Sequence, residues 1–509
     1  MTKILEAVHG FVWGAPALLL ILGIGLYLSI QTGFAQITLF PRALKAFFAS
    51  MLPRKDREGV SSFQALCTAL AATVGTGNLV GVAGALCIGG PGSIFWMWLC
   101  GLLGMVTKYA EVTLAVRFRT REGTSYVGGP MYIITRGMGS RWKWLAVCYC
   151  VFGVIASFGV GNAAQINAVL SGINSLLSDF GISENPLRNL GMGLLLAVLT
   201  LLVLSGGARG IGAAAERLIP VVSLGYILLC FGVLVLRWHR IDDAFRQILQ
   251  GAFTPGAVTG GMLGSAFQAL RIGCSRGVFT NEAGMGTASI AHASAQTDHP
   301  AQQGLMGIVE VFLDTIAICT LTALVILVSG VPIPYGTDLG GQLTNLAFSH
   351  IYGRSASVFL AAALCCFAFA TVLGWSLYGG RCAQFLFGKS AWQWFVPAQT
   401  AMVVLGSMMN TQTVWLLAET VNGLMAIPNL IALAALSSEV AGLTIEYKEK
   451  TGTRSAGGGQ YANFHQRKPL RTLSHAEIPS PGGGSKKRRQ ENLPSEHRSA
   501  GSSHAGGLL

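Results

Sequence analysis

The segment Thr73-Val-Gly-Thr-Gly-Asn-Leu-Val-Gly81 puts three glycines and a carboxamide inside a stretch that otherwise reads as a membrane helix. Glycine loosens a helix, and each backbone group left unpaired in hydrocarbon carries a heavy penalty. Such a break is tolerated only where the freed N–H and C=O groups face protein, water or a ligand. Freed N–H groups at a helix end can hold an anion, and glycine lets a ligand approach the backbone closely. Asn78 has a duller reading, as a side chain that repairs the broken backbone. The glycines also loosely fit a nucleotide loop, but no βαβ context surrounds them.

Ionisable residues within apolar spans form a second set, because they are costly unless paired or solvated. Lys108 and Glu111 lie three apart and read as a local pair beside the interface. Glu282 could help close an inner gate. Glu310 and Asp314, four apart on one helix face, could relay protons or bind a cation. Structural pairing with Arg271 or Arg276 is the competing reading. Of the nine histidines, His292 alone lies deep in the apolar region, and a lone helical histidine is usually just hydrogen-bonded. No nucleophile–base pair or cluster of metal ligands emerges, so an enzyme is disfavoured. The 11 cysteines show no pairing pattern and read as small, buried and reduced.

The elements that must position these groups are membrane helices. The 509 residues are 52% hydrophobic and 11% charged, with mean hydropathy +0.54. Soluble domains carry about 25% charged residues, so the chain reads as an all-α polytopic membrane protein. Eleven apolar runs are expected near 14–33, 63–88, 91–116, 144–177, 189–206, 218–236, 259–295, 304–329, 355–387, 393–409 and 412–436. The first lacks a basic leader and a cleavage site and reads as a retained helix.

Net charge is +13, and its placement sets orientation. Arg42, Lys45, Arg54, Lys55 and Arg57 follow the first span; Arg117, Arg119, Arg121, Arg136, Arg141 and Lys143 follow the third. Placing these loops inside puts the amino terminus outside and the carboxyl terminus in the cytoplasm. The weakest point is 237–250, expected outside despite three arginines and read as a surface helix. The run Lys486-Lys-Arg-Arg489 reads as part of a cytoplasmic tail rather than as a nucleic-acid site.

Four regions follow: 1–60, a helix and basic loop; 61–240 and 255–440, five helices each; and 447–509, a disordered tail poor in apolar residues. Two sets of five helices run in opposite directions, which is the arithmetic of an inverted repeat. Each opener carries an interruption, the second at Gly260-Gly-Met-Leu-Gly264 and Arg271-Ile-Gly-Cys-Ser-Arg-Gly277. Helix packing would explain either alone; together they favour a binding site at mid-membrane depth.

At these residues the chain resembles the alanine or glycine:cation symporter family. The matching segments are Ala72-Thr-Val-Gly-Thr-Gly-Asn78, Gly89-Gly-Pro-Gly92 with Phe95-Trp-Met-Trp98, and Gly104-Met-Val-Thr-Lys-Tyr-Ala-Glu111. Gly128-Gly-Pro-Met-Tyr132, Arg276-Gly-Val-Phe-Thr-Asn-Glu-Ala-Gly284 and Val372-Leu-Gly-Trp375 complete the set. The resemblance runs from about residue 60 to 435. It implies sodium-coupled uptake of small neutral amino acids, no organic cofactor, and the five-plus-five fold of the neurotransmitter–sodium symporters with one extra helix in front. It further implies a bacterial inner-membrane protein that functions as a monomer.

For a small zwitterion, the opened helix at Gly75, Thr76, Gly77 and Asn78 would meet the carboxylate. Carbonyls around Ile272, Gly273 and Ser275 would accept from the ammonium. The family's substrate glutamine corresponds to Gln165, and Trp375 would cap the side-chain space, with Phe267 a further wall candidate. By analogy the sodium ligands are the carbonyls of Ala71, Val74 and Phe367 and the hydroxyl of Thr371. Ala370 stands where the family commonly has a second threonine. Proton coupling, and an amino-acid sensor with the same fold, are the alternatives.

Overall fold

The computed structural model describes residues 10, 13–52, 59–123, 125–253, 266–337, 339–409 and 411–452. The expected break at Gly260–Gly264, the cluster Arg54, Lys55 and Arg57, and the tail from 453 with its Lys486–Arg489 run lie outside these residues.

The described chain is almost entirely helical. Helix α1 (Ala15–Gln31) is followed by an amphipathic helix, α2 (Phe40–Ser50). Helix α3 (Ser62–Thr73) begins at Ser61, whose hydroxyl accepts from Gln64 N at 3.0 Å and satisfies one orphan donor of the first turn. After the interruption, a π-helical turn at Gly77–Gly81 leads into α4 (Val82–Gly89). The long α5 (Gly92–Arg117) crosses the centre, and a two-stranded hairpin, β1 (Thr120–Glu122) and β2 (Ser125–Val127), follows it. Helices α6 (Lys143–Phe158) and α7 (Ala164–Asp179) are joined through a π-helical turn. Asn185 caps α8 (Pro186–Ser205), accepting from Leu187 N at 2.8 Å, and α9 (Gly207–Leu236) follows. The surface helix expected near 237–250 is α10 (Ile241–Phe253), which buries Ala244, Ile248 and Ala252 at helical spacing.

The second half holds α11 (Ala266–Asn281), the short α12 (Thr287–His292) and α13 (Pro300–Val311). A π-helical turn at Phe312–Cys319 joins α13 to α14 (Thr320–Ser329). Then come α15 (Gly341–Tyr352), α16 (Arg354–Phe387), α17 (Ala391–Gly406), α18 (Thr411–Ala435) and α19 (Ser437–Lys450). Among the described residues six helices are long and apolar enough to cross a bilayer, or eight if each of two bent pairs forms one span. Helix α19 continues past Tyr447, where composition alone placed the start of a disordered tail. It packs on α5 and α13 and bonds to the front of the chain, with Lys448 Nζ donating to Thr32 O at 3.3 Å.

The core forms where α11 and α13 lie against α5, and where α16 lies against α3, α6, α7 and α9. Small residues permit the close crossings. A Cβ on Gly273 would fall 2.2 Å from Ser93 O of α5, and one on Gly161 would fall 2.3 Å from Trp375 Cβ.

Gly273 therefore serves helix packing, and the expected break at Arg271–Gly277 is instead continuous helix. The Ile272, Gly273 and Ser275 carbonyls lie within α11, where helical donors occupy them. The real interruption follows at Glu282–Gly286. Phe267 is also displaced from its expected role: it is 60% exposed on the outside of α11. A Gly273→Val exchange is expected to destabilise by about 1–3 kcal/mol or more through overpacking, read as a lower thermal unfolding midpoint in detergent. Exposed Gly191, with open space around its Cβ position, is the control.

Candidate functional site

The first break is held open by Asn78. Helix α3 ends at Thr73, Val74 turns to extended backbone (φ −75°, ψ 102°), and the two halves bend by 50°. A continuous helix would give the Gly75 N–H to the Ala71 carbonyl; here it donates to Asn78 Oδ1 at 2.8 Å. The Asn78 carboxamide donates in turn to Asp314 Oδ1 at 2.7 Å and Asp314 O at 3.1 Å. The carboxylate's other oxygen accepts from Thr315 Oγ1 at 2.8 Å, and that hydroxyl accepts from Asn281 Nδ2 at 3.1 Å. Asn281 Oδ1 then accepts from Ala283 N at 2.9 Å, inside the second break. One buried polar chain thus runs from one interruption to the other. Asn78 belongs to this repair rather than to the cavity wall.

The second break depends on Glu111. Its Oε1 accepts from Gly284 N at 2.8 Å, Gly286 N at 3.0 Å and Asn429 Nδ2 at 2.7 Å. Gly284 and Gly286 have φ of +95° and +77°, a region side-chain-bearing residues rarely adopt. Glu282 itself sits at φ +52°. Its carboxylate accepts from Trp375 Nε1 at 3.1 Å and from Thr287 Oγ1 at 2.6 Å.

The first break packs against the last turn of α11, just ahead of the second: a Cβ on Gly77 would lie 2.9 Å from Thr280 Cγ2. Between them is a cavity of about 20 Å³, lined by Gly75, Thr76, Gly77, Gln165, Thr371 and Trp375 together with Val160, Phe279, Glu282 and Asn422. Room of that size holds about one water. Gln165 is buried there, with Oε1 accepting from Thr76 Oγ1 at 3.3 Å and Nε2 donating to Val160 O at 3.0 Å. Thr371 Oγ1 donates to Phe367 O at 3.0 Å and would be 2.8 Å from a Cβ on Gly75. Of the expected sodium ligands, Thr371 and Phe367 are one turn apart on α16 and bonded to each other, and Thr371 lies beside Gly75, just past the end of α3. A larger vestibule of about 640 Å³ adjoins the cavity, and Thr76, Gly77 and Phe279 line both. Arg276 and Glu419 line the vestibule as an ion pair at 3.3 Å.

The buried charges pair differently from expectation. Lys108 is fully buried and its Nζ lies 3.3 Å from Glu310 Oε1, not against Glu111. Glu310 Oε2 meets His292 Nε2 at 3.0 Å, and His292 Nδ1 meets Gln303 Nε2 at 2.8 Å. Neither Arg271 nor Arg276 is the partner of Glu310 or Asp314 in these bonds. Sequence spacing along α5 could not reveal this, because the partners come from α12 and α13.

Asn422 and Phe279 are lining residues that the sequence reading missed. A signal existed: Glu419, Asn422 and Asn429 recur at helical spacing along apolar α18. Replacing Asp314 by Leu leaves the Thr315 hydroxyl and part of the Asn78 amide without acceptors. The expected cost is about 1–3 kcal/mol for each unpaired group, with Asp314→Asn intermediate, measured by thermal unfolding in detergent.

The sequence profile of the sodium:alanine symporter family matches residues 1–458. The sodium/alanine symporter AgcS of Methanococcus maripaludis is 41% identical over 452 residues, covering 88% of this chain and 97% of that protein. The amino-acid carrier protein AlsT of Bacillus subtilis is 36% identical, covering 84% and 88%. The crystal structure of MhsT in complex with L-phenylalanine superposes with a TM-score of 0.55 at 15% identity, covering 77% of this chain and 99% of that one. At that identity the likeness concerns the fold.

Proposed function

The chain belongs to the sodium:alanine symporter family, and on that premise we propose that it couples sodium entry to uptake of small neutral amino acids, alanine and glycine, by alternating access. The chain is a multi-pass membrane transporter, and sodium is the co-transported ion that its family implies. The observation that carries the finer reading is the small cavity where two interrupted helices meet. It lies between released backbone groups, the Gln165 amide and the Trp375 indole, a setting that suits a zwitterion with a short side chain.

The cavity is closed around less than the substrate's volume. Of the three residues that line both cavity and vestibule, Phe279 has the bulkiest side chain, and in this reading it moves aside to admit substrate. With the basic loops inside, the vestibule lies on the outer side, bordered by α15, and this conformation precedes substrate entry. The Trp375–Glu282–Thr287 bonds close the inner side. The reading also includes placement in the bacterial inner membrane, a cytoplasmic carboxyl terminus, an inverted five-plus-five repeat and function as a monomer. Sodium would sit between Ala71, Val74, Phe367 and Thr371.

The test is radiolabelled alanine and glycine uptake into proteoliposomes with sodium and proton gradients imposed separately. Sodium-driven uptake is expected, falling by about tenfold or more, equivalent to about 1.4 kcal/mol, in Gln165→Ala and Trp375→Ala. Wild-type rates in both variants would refute the site. A second reading, proton coupling, draws support from the fully buried Lys108–Glu310–His292 contacts. Uptake driven by a proton gradient without sodium, and abolished in Glu310→Gln, would replace sodium coupling with it.

A further inference from the structure

Polar side chains around the central cavity are, with one exception, already engaged. Thr73 Oγ1 donates to Ala69 O at 3.2 Å, and Thr76 donates to Gln165. Gln165 spends its own amide on Val160 O, and Thr371 donates to Phe367 O. Glu282 takes Trp375 on one oxygen and Thr287 on the other. Asn422, only 1% exposed, lines the same cavity, and among the described residues neither its Oδ1 nor its Nδ2 has a hydrogen-bond partner.

A buried carboxamide left unpaired on both atoms carries a desolvation penalty that packing does not remove. Replacement by an apolar residue of similar shape would relieve that penalty. Its placement on α18 adds a second observation. One turn earlier Glu419 pairs with Arg276 in the vestibule, and two turns later Asn429 donates to Glu111 and to Gly284 O at the second break. Asn422 thus stands midway along one face of α18, between the vestibule and the second break, where the passing solute must go.

We propose that Asn422 is a substrate-contacting, specificity-determining residue whose carboxamide is held for the polar head of the transported amino acid. Oδ1 accepts a hydrogen from the ammonium while Nδ2 donates to a carboxylate oxygen, the two complementary groups that one zwitterion presents. The same pairing rejects solutes lacking either charge, because a site built to bond a polar group discriminates against the analogue without it. This assignment rests on the proposed uptake of small neutral amino acids.

The experiment compares wild type, Asn422→Leu and Asn422→Ser in detergent and in proteoliposomes, with glycine, L-alanine and the amine-lacking propionate as probes in sodium. Wild type is expected to gain thermal stability with glycine or alanine but not with propionate. Asn422→Leu should melt, without ligand, at or above the wild-type temperature, lose the ligand-induced shift, and fall at least tenfold in apparent affinity. Asn422→Ser should recover part of the shift. Wild-type affinity in Asn422→Leu overturns the inference. So does a ligand-free melting temperature several degrees below wild type, which would mark Asn422 as structural whatever happens to uptake. A wild type that neither binds nor accumulates these amino acids refutes the underlying reading instead, and the inference falls with it.

Discussion

Two interrupted helices in a membrane protein stand or fall on what satisfies their backbone. Here the answer is a single buried chain, Gly75 N–H to Asn78 to Asp314, then Thr315 to Asn281 to Ala283 N–H. Every link is a hydrogen bond between groups that water cannot reach. Because the chain ties one break to the other, neither can close into regular helix without stranding a partner. Asp314 is its hinge, an acceptor on both oxygens, carried on a π-helical turn of its own.

The second break adds a charge to the same logic. Glu111 reaches across from α5 to gather two glycine N–H groups and the Asn429 amide. Nearby, Lys108 and Glu310 are both fully buried and in contact, with His292 on the other carboxylate oxygen. Buried ions persist only when paired and hydrogen-bonded. These buried charges sit where α5, α12 and α13 converge, on the same part of the fold as Glu282, whose carboxylate takes the Trp375 indole.

Much of this was legible along the chain. Low charge and long apolar runs dictate membrane helices, since nothing else buries so little polarity in so much hydrocarbon. Gly75, Thr76, Gly77, Gln165, Trp375 and Thr371, expected at the site, do surround one cavity. Other expectations failed for a common reason. Gly273 and its neighbours looked like a helix break because glycine is also the residue that lets helices touch, and a one-dimensional pattern does not separate these uses. Phe267 looked like a cavity wall but faces outward, because the rotation of α11 is set by its packing on α5.

What the chain determined by itself is local: where a helix is too rich in glycine to hold, which residues carry hydroxyl, amide or charge, and which stretches are long enough to cross a bilayer. Those follow from backbone sterics and solvation, which act residue by residue. The tertiary structure decided who meets whom. Lys108 found Glu310 rather than Glu111, Glu111 found the glycines of the second break, and Asn422 was left at the cavity without a partner among the described residues. Such pairings join residues far apart in the chain, so they exist only once the helices have packed.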